Sequence, residues 1–245
     1  MTISITSPTS NTGAIQQNGS NVLTIDSSNR LTATNGIYIN GALASGYTMK
    51  NRIINGAMVI DQRNAGASVT ISALSAQYIT DRFIVRGTQA SKLTAQQNAG
   101  SVSVLANTGF SNYLGVTSSS AYTVGAAEQF LIRQNIEGFN WADLDWGSST
   151  AKPVTLSFWV RSSLTGTFGG AFTNSAENRS YPFTYTISSA NTWTQISVTI
   201  AGDTAGTWTT TNGVGMYVAF GLGVGSSNSG TAGAWAGACA TCTRH

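Results

Sequence analysis

Charge is what this sequence has least of: Asp, Glu, Lys and Arg make up 9% of its 245 residues, against about 25% in ordinary soluble domains. Exposed helix faces are normally built from Lys and Glu, so little material for helices is present. Histidine is nearly missing too. The single copy is His245, which leaves no partner for a Ser/His/Asp or Cys/His arrangement. The only cysteines, Cys239 and Cys242, stand in Cys-Ala-Thr-Cys close to His245. That gives three candidate ligands where a structural zinc needs four, and a redox CxxC belongs at a helix start in a βαβ context. The residues from 231 to 245 are expected to be a flexible tail with two free thiols. No metal and no cofactor is expected, and no phosphate-binding loop of the P-loop type is present.

Other absences narrow the partners. No stretch approaches the roughly 18 apolar residues of a membrane helix, so no membrane insertion is expected. Met1-Thr2-Ile3-Ser4-Ile5 has neither a basic n-region nor an apolar h-region, so no secretion signal is expected. The formal charge of +3 comes from 12 Lys and Arg against 9 Asp and Glu. The basic residues are scattered without a run of neighbours, which argues against nucleic acid.

What is there suits strands. Ser and Thr supply about a quarter of the chain, and Thr, Val, Ile and aromatic residues fit a pleated, half-buried surface. Val154, Leu156, Phe158 and Val160 alternate with Thr155, Ser157, Trp159 and Arg161. Thr194, Ile196, Val198 and Ile200 form a second face, and Val214, Met216, Val218, Phe220 and Leu222 a third. Phe130, Ile132 and Ile136 are in phase on a fourth. Strands with this period, joined by Gly, Asn and Ser turns, predict an all-β fold, an antiparallel β-sandwich. Only a short helix near Asn140 to Asp145 is expected. Residues 1–50 read differently. Short β-like pieces at Asn21 to Ile25, Leu31 to Thr34 and Gly36 to Ile39 are too weakly apolar to stand alone. They are expected to be an oligomerising N-terminal segment.

From residue 51 the chain resembles a known family. Asn51-Arg52-Ile53-Ile54-Asn55-Gly56-Ala57-Met58-Val59-Ile60-Asp61-Gln62-Arg63 looks like the opening of a domain common in tail-fibre and appendage proteins of tailed bacteriophages. Tyr78-Ile79-Thr80-Asp81-Arg82-Phe83, Ile132 to Gly138, Ala151 to Ser162, Ala190 to Trp193 and Gly202 to Gly206 follow in the family's order. The match runs from 51 to about 225. It implies a jelly-roll resembling carbohydrate-binding modules over 51–230, a homotrimer, and attachment to other tail or capsid proteins through residues 1–50. It also implies a virion component that meets host surface polysaccharide. The family usually continues into a closing strand, which the pattern after Ala234 does not supply; either the last strand is absent or another subunit supplies it, and an exposed sheet edge would then need covering.

Candidate site residues fall in two groups. Aromatic faces stack on sugar rings while amides and carboxylates bond the hydroxyls. Trp141, Asp143, Trp146, Tyr181 and Trp208 are therefore the expected carbohydrate contacts. Gln62, Arg63, Asp81, Arg82 and Gln134 are expected to be structural, with Asp81 and Arg82 capping strand ends. Catalysis is not expected. Glu128, Glu137, Asp143 and Asp145 are the carboxylates a glycosidase could pair, but their spacing singles none out. The leading expectation is a non-enzymatic fibre or appendage subunit. The alternatives are a capsid decoration or head-fibre protein, a free lectin, and a glycan-degrading tailspike-like enzyme.

Overall fold

The computed structural model describes residues 50–237 except 105 and 107, together with the backbones of six short strands nearer the N-terminus. Two compact units divide between Asn51 and Arg52.

In the first unit, β1 (Ile3–Thr6), β2 (Gly13–Gln17), β3 (Ser20–Ile25) and β4 (Leu31–Ala33) form an antiparallel meander in that order. A shift between Ile15 and Gln16 marks a bulge in the β2–β3 ladder. A separate pair joins β5 (Tyr38–Ile39) to β6 (Ala42–Leu43). These strands pair within one chain. The connecting turns lie outside the described residues.

The second unit is an antiparallel β-sandwich, as the alternation requires. Its strands are β7 (Val69–Thr70), β8 (Gln77–Tyr78), β9 (Phe83–Gly87), β10 (Leu93–Gln97), β11 (Leu114–Ser118) and β12 (Gln129–Glu137). They continue with β13 (Val154–Val160), β14 (Gly166–Asn174), β15 (Ser180–Ile187), β16 (Thr194–Ile200) and β17 (Val214–Val224). One layer is a six-stranded sheet ordered β15-β14-β17-β12-β9-β8. The facing layer comes in two pieces, β11-β10-β7 and β13-β16. The expected short helix is a pair of 3-10 turns, Gly138–Asn140 and Ala142–Leu144.

The core lies between the layers. Ile136, Met216, Val218, Phe172 and Phe183 from the large sheet meet Leu156 and Ile200 from β13-β16. Val85 and Ile132 meet Ala95, Leu93 and Val116 from the smaller piece. Each buried Phe or Leu contributes about 1.5–3 kcal/mol, so this interface dominates any surface ion pair. Gly170 makes room for it, since a Cβ there would land on the Phe183 ring and the Ala219 carbonyl.

Two expectations fail here for local reasons. Leu222 was placed on the core face of β17 but is 40% exposed. Phe130 pairs with Gly223 and Leu131 with Gly221, so Leu222 is the extra residue of a bulge and leaves the alternation. Residues 231–237, expected to belong to a flexible tail, are placed against the sandwich. Ala236 pairs with Ser180 on the outer edge of β15, the Gly233 N–H donates to the Pro182 carbonyl, and Trp235 packs into the core. Part of the sheet edge is thus covered by the chain itself, and Pro182 has no N–H to leave unpaired there. Cys239, Cys242 and His245 lie outside the described residues.

Trp146 sits at the hub of the aromatic core, 4.6 Å from Trp141, 4.8 Å from Trp208 and 5.0 Å from Trp235 by ring centroids, all edge-to-face. Truncating Trp146 to Ala is expected to cost about 3–5 kcal/mol, read as a lower urea midpoint with an unchanged m value. Leu222→Ala, at the exposed bulge, should stay within about 0.5 kcal/mol.

Candidate functional site

The tryptophans expected to hold sugar do not face solvent. Trp141, Trp146, Trp208 and Tyr181 are 3%, 7%, 7% and 8% exposed, and all four belong to the core. Their ring faces are covered by one another and by Phe172 and Trp235. The Trp146 indole donates to the Lys152 carbonyl and the Trp208 indole to the Ala205 carbonyl, so these loops fold inward and are sealed there. Asp143 is exposed, but both its oxygens accept from Arg52 at 2.7 Å. The carbohydrate assignment of these five residues is therefore corrected: they hold the 138–152 and 203–208 loops to the sandwich.

The polar motif residues serve the backbone. Gln134 is buried, accepting from the Ile54 N–H and donating to the Ile54 carbonyl, as a neighbouring strand would. Asn55 brackets Ile60 and reaches the Asp81 carbonyl, while Asn64 donates to the carbonyls of Tyr78 and Ile79. Asp81 is tied in through its own N–H and carbonyl. Gln62 is exposed. Arg82 has a carboxylate partner other than its sequence neighbour: it meets Glu137 at 2.5 Å and donates to the Asn135 carbonyl. The buried carboxylate with a two-pronged arginine does exist, at Asp203 and Arg179 (2.8 and 2.5 Å). That hydrogen bond pushes Arg179 above the ordinary arginine value, against a smaller opposing effect of burial. Such a pair holds structure, since removing one partner strands a buried charge at a cost of about 3–5 kcal/mol.

The other face of the six-stranded sheet has no second sheet over it among the described residues, although Leu131, Thr173 and Ala219 on it are buried. The residues of β12 that point away from the core are Gln129, Leu131, Arg133 and Asn135, with Glu137 at the strand end. Successive members are two residues apart, so the row spans roughly 27 Å. Beside it stand Tyr78 and Arg86 from the β8–β9 side, then Tyr217 and Ala219 on β17, with Thr173 on β14. Arg133 lies over the Tyr217 ring at 4.2 Å and Arg63 over Tyr78 at 5.0 Å. Tyr78, Arg82, Asn135, Glu137, Asn212 and Val214 line a cleft of about 150 Å³ at one end of this row. That is below the roughly 300–1,000 Å³ of pockets that enclose a small molecule. The shape suits a ligand lying across the sheet that inserts one group.

The chemistry of this face is unusually unbalanced. Buried side-chain atoms without a hydrogen-bond partner among the described residues are Arg82 Nε, Arg86 Nε, Arg133 Nε, Gln129 Oε1, Asn135 Oδ1 and Trp141 Nε1. All but the last belong to the open face. Burial lowers Arg133 from the ordinary arginine value, opposed by Tyr217 and Glu177. Its acid, Glu177, is 3.5 Å away and half exposed. Burial pushes the Glu137 carboxyl up, but hydrogen bonds from Arg82, its own backbone and Asn140, with the Arg82 charge, outweigh this and hold it below the usual glutamate value. The sequence signal for this site was slight. Tyr78, Arg82, Arg133 and Asn135 stand in the quoted motifs, but their shared face depends on strand order.

Of the carboxylates considered for hydrolysis, Glu128 accepts from Tyr122, Gln89 and the Gly125 N–H, and Asp145 meets Lys152 at 3.2 Å. No group of three His, Cys, Asp or Glu able to hold a metal occurs among the described residues. No helix among them is long and apolar enough to cross a membrane.

No protein-family model and no curated protein matches the chain, so the family resemblance from 51 to 225 rests on its motifs alone. A solved structure that it is similar to is the enzymatically active domain of bacteriophage CBA120 tailspike protein 4, with TM-score 0.39 and 14% identity. The match covers 80% of this chain and 21% of that one, so the chain spans about a fifth of the matched structure. The expectation of a non-enzyme is corrected by this finding, because the matched structure is described as enzymatically active, and the chain is not classed as a non-enzyme.

Because its carboxyl is held low, the Glu137–Arg82 contact is present above the unfolded glutamate value of about 4.3 and is lost as pH falls through the lower folded value. An NMR titration of the Glu137 side chain should give a midpoint under that reference, and Arg82→Gln should move it upward.

Proposed function

We propose that the chain is a structural protein of a tailed-phage virion, a fibre or appendage subunit, and that it meets host surface glycan through the open face of its six-stranded sheet. The observation that carries this is the row along β12, flanked by Tyr78 and Tyr217, with five unpartnered buried polar atoms on the same face. Sugar polymers offer many hydroxyls and extended shape, which match a long shallow face carrying amide and guanidinium groups better than an enclosed pocket would. The motifs from Asn51 to Gly206 support the phage assignment by resemblance. In the same reading the N-terminal strands bring three copies together and attach them to other tail or capsid proteins.

The test uses the full chain. Immobilised polysaccharides from bacterial surfaces should retain it, and Tyr217→Ala with Asn135→Ala should weaken retention at least tenfold while thermal unfolding changes little. Trp208→Ala should instead lower stability. Retention that is unaffected by the sheet-face variants would refute the site, and no retention on any polymer would refute the glycan reading. Light scattering should return three times the 25.5 kDa chain mass; a monomer would refute the trimer. Reducing ends measured in the same samples report whether binding is followed by cleavage.

A further inference from the structure

The open sheet face carries more positive than negative charge. Arg63, Arg82, Arg86 and Arg133 stand on or beside it against Glu137 and Glu177, an excess of two positive charges. Four of the nine arginines of a chain poor in charge thus meet on one surface. Arg86 makes no ion pair among the described residues, and the Arg133 pair is long at 3.5 Å.

The way the guanidinium groups are used is more telling than their number. Arg179 shows what a saturated arginine looks like here: its Nε and Nη2 together hold the Asp203 carboxylate. That paired edge is the one that fits a carboxylate with two parallel bonds. Arg82 and Arg133 reach Glu137 and Glu177 through Nη atoms only, and their Nε groups have no acceptor. Arg86 likewise leaves Nε unpartnered. Neighbouring side chains cover these atoms, so engaging them requires the heads to turn outward. For Arg133 the half-exposed Glu177 is the partner that would be left. An unpartnered buried donor is a cost to the free protein, which a bound acceptor would recover.

The same row holds the opposite deficit. Gln129 Oε1 and Asn135 Oδ1 are acceptors in need of donors, on either side of Arg133. A ligand that satisfies both kinds of group must carry anionic oxygens and hydroxyls along one extended chain. From this we infer that the face recognises an acidic polysaccharide, a polymer of sugars bearing carboxylates, with Arg86 and Arg133 taking the carboxylates and Gln129 and Asn135 the hydroxyls. This deepens the glycan reading above and rests on it. A nucleic acid supplies the anions too, but in DNA the backbone that carries them has no hydroxyls, and the N–H donors lie on the bases, away from the phosphates.

The experiment compares three probes by calorimetry with the full chain: a uronic-acid polysaccharide, the same polymer after reduction of its carboxyls to alcohols, and single-stranded DNA. The acidic polymer is expected to bind at least tenfold more tightly than either of the others, with affinity falling as salt rises. Arg86→Gln and Arg133→Gln should each remove most of that preference, circular dichroism confirming the fold. Arg86→Gln decides the matter if Arg133→Gln does not fold. Equal binding of the acidic and reduced polymers would overturn the inference while leaving the glycan reading intact. Binding of DNA as tight as of the acidic polymer would overturn it as well. Binding of neither polysaccharide would sink both.

Discussion

Alternation along a strand ties the two faces of the large sheet together. On β12, β14 and β17 the residues that point inward, such as Ile136, Phe172 and Met216, form the apolar interface with the second layer. Their immediate neighbours must then point outward, and these include Asn135, Thr173 and Tyr217. Sliding β12 by one residue would bring Arg133 and Asn135 into the core and expel Ile132 and Ile136. Core burial therefore fixes the register, and the register fixes which polar groups meet on the open face. Where the pattern changes, at the β17 bulge opposite Phe130 and again beyond Ile136, the side-chain order changes with it. The second shift is what brings Val214 beside Glu137 in the cleft.

The fold was largely legible because it depends on a local signal. Val154 to Val160 and Thr194 to Ile200 alternate strictly, and they pair residue for residue across β13 and β16. Leu222 was lost because a bulge depends on how two strands pair, which one strand's pattern does not reveal. The site was much less legible. Tyr78, Arg133 and Tyr217 are distant in sequence and reach one face only once β8, β9, β12 and β17 are side by side. Basic residues that look scattered along the chain are gathered by that same order. The tryptophans misled for a related reason: turn-rich composition identifies a loop, but whether its rings face water or fold back depends on what else surrounds them. Trp146, within reach of Trp141, Trp208 and Trp235, folds back.

Polar residues in the recognisable motifs turn out to act as substitutes for strand neighbours. The opening segment from Arg52 to Asn64 has no regular ladder of its own, so its peptide groups need partners from side chains. Gln134 provides both halves of a peptide-like pair to Ile54 and Asn55 does the same for Ile60, while Asn64 donates to the carbonyls of Tyr78 and Ile79. Asp61 accepts from the N–H groups of Asn64 and Gly66 and closes the turn. Amides fit these places because they carry donor and acceptor together without a charge to desolvate. The motif is thus a folding device that lays an irregular segment against the sheet.

Scarcity of charge elsewhere makes the sheet face count for more. In a protein with abundant surface ions, an excess of two guanidinium groups would be blurred by its neighbours. Here only 9% of residues are charged. Local field then depends on the few ions close at hand, and Arg86 and Arg133 reinforce one another, as the lowering of Arg133 by the Arg86 charge indicates. That mutual repulsion, added to burial, is a cost the free protein carries. A ligand bearing negative charge lowers it at both residues together, whereas a neutral one leaves it in place. In the proposed reading, the arrangement tells an acidic polymer from a neutral one by charge as well as by shape.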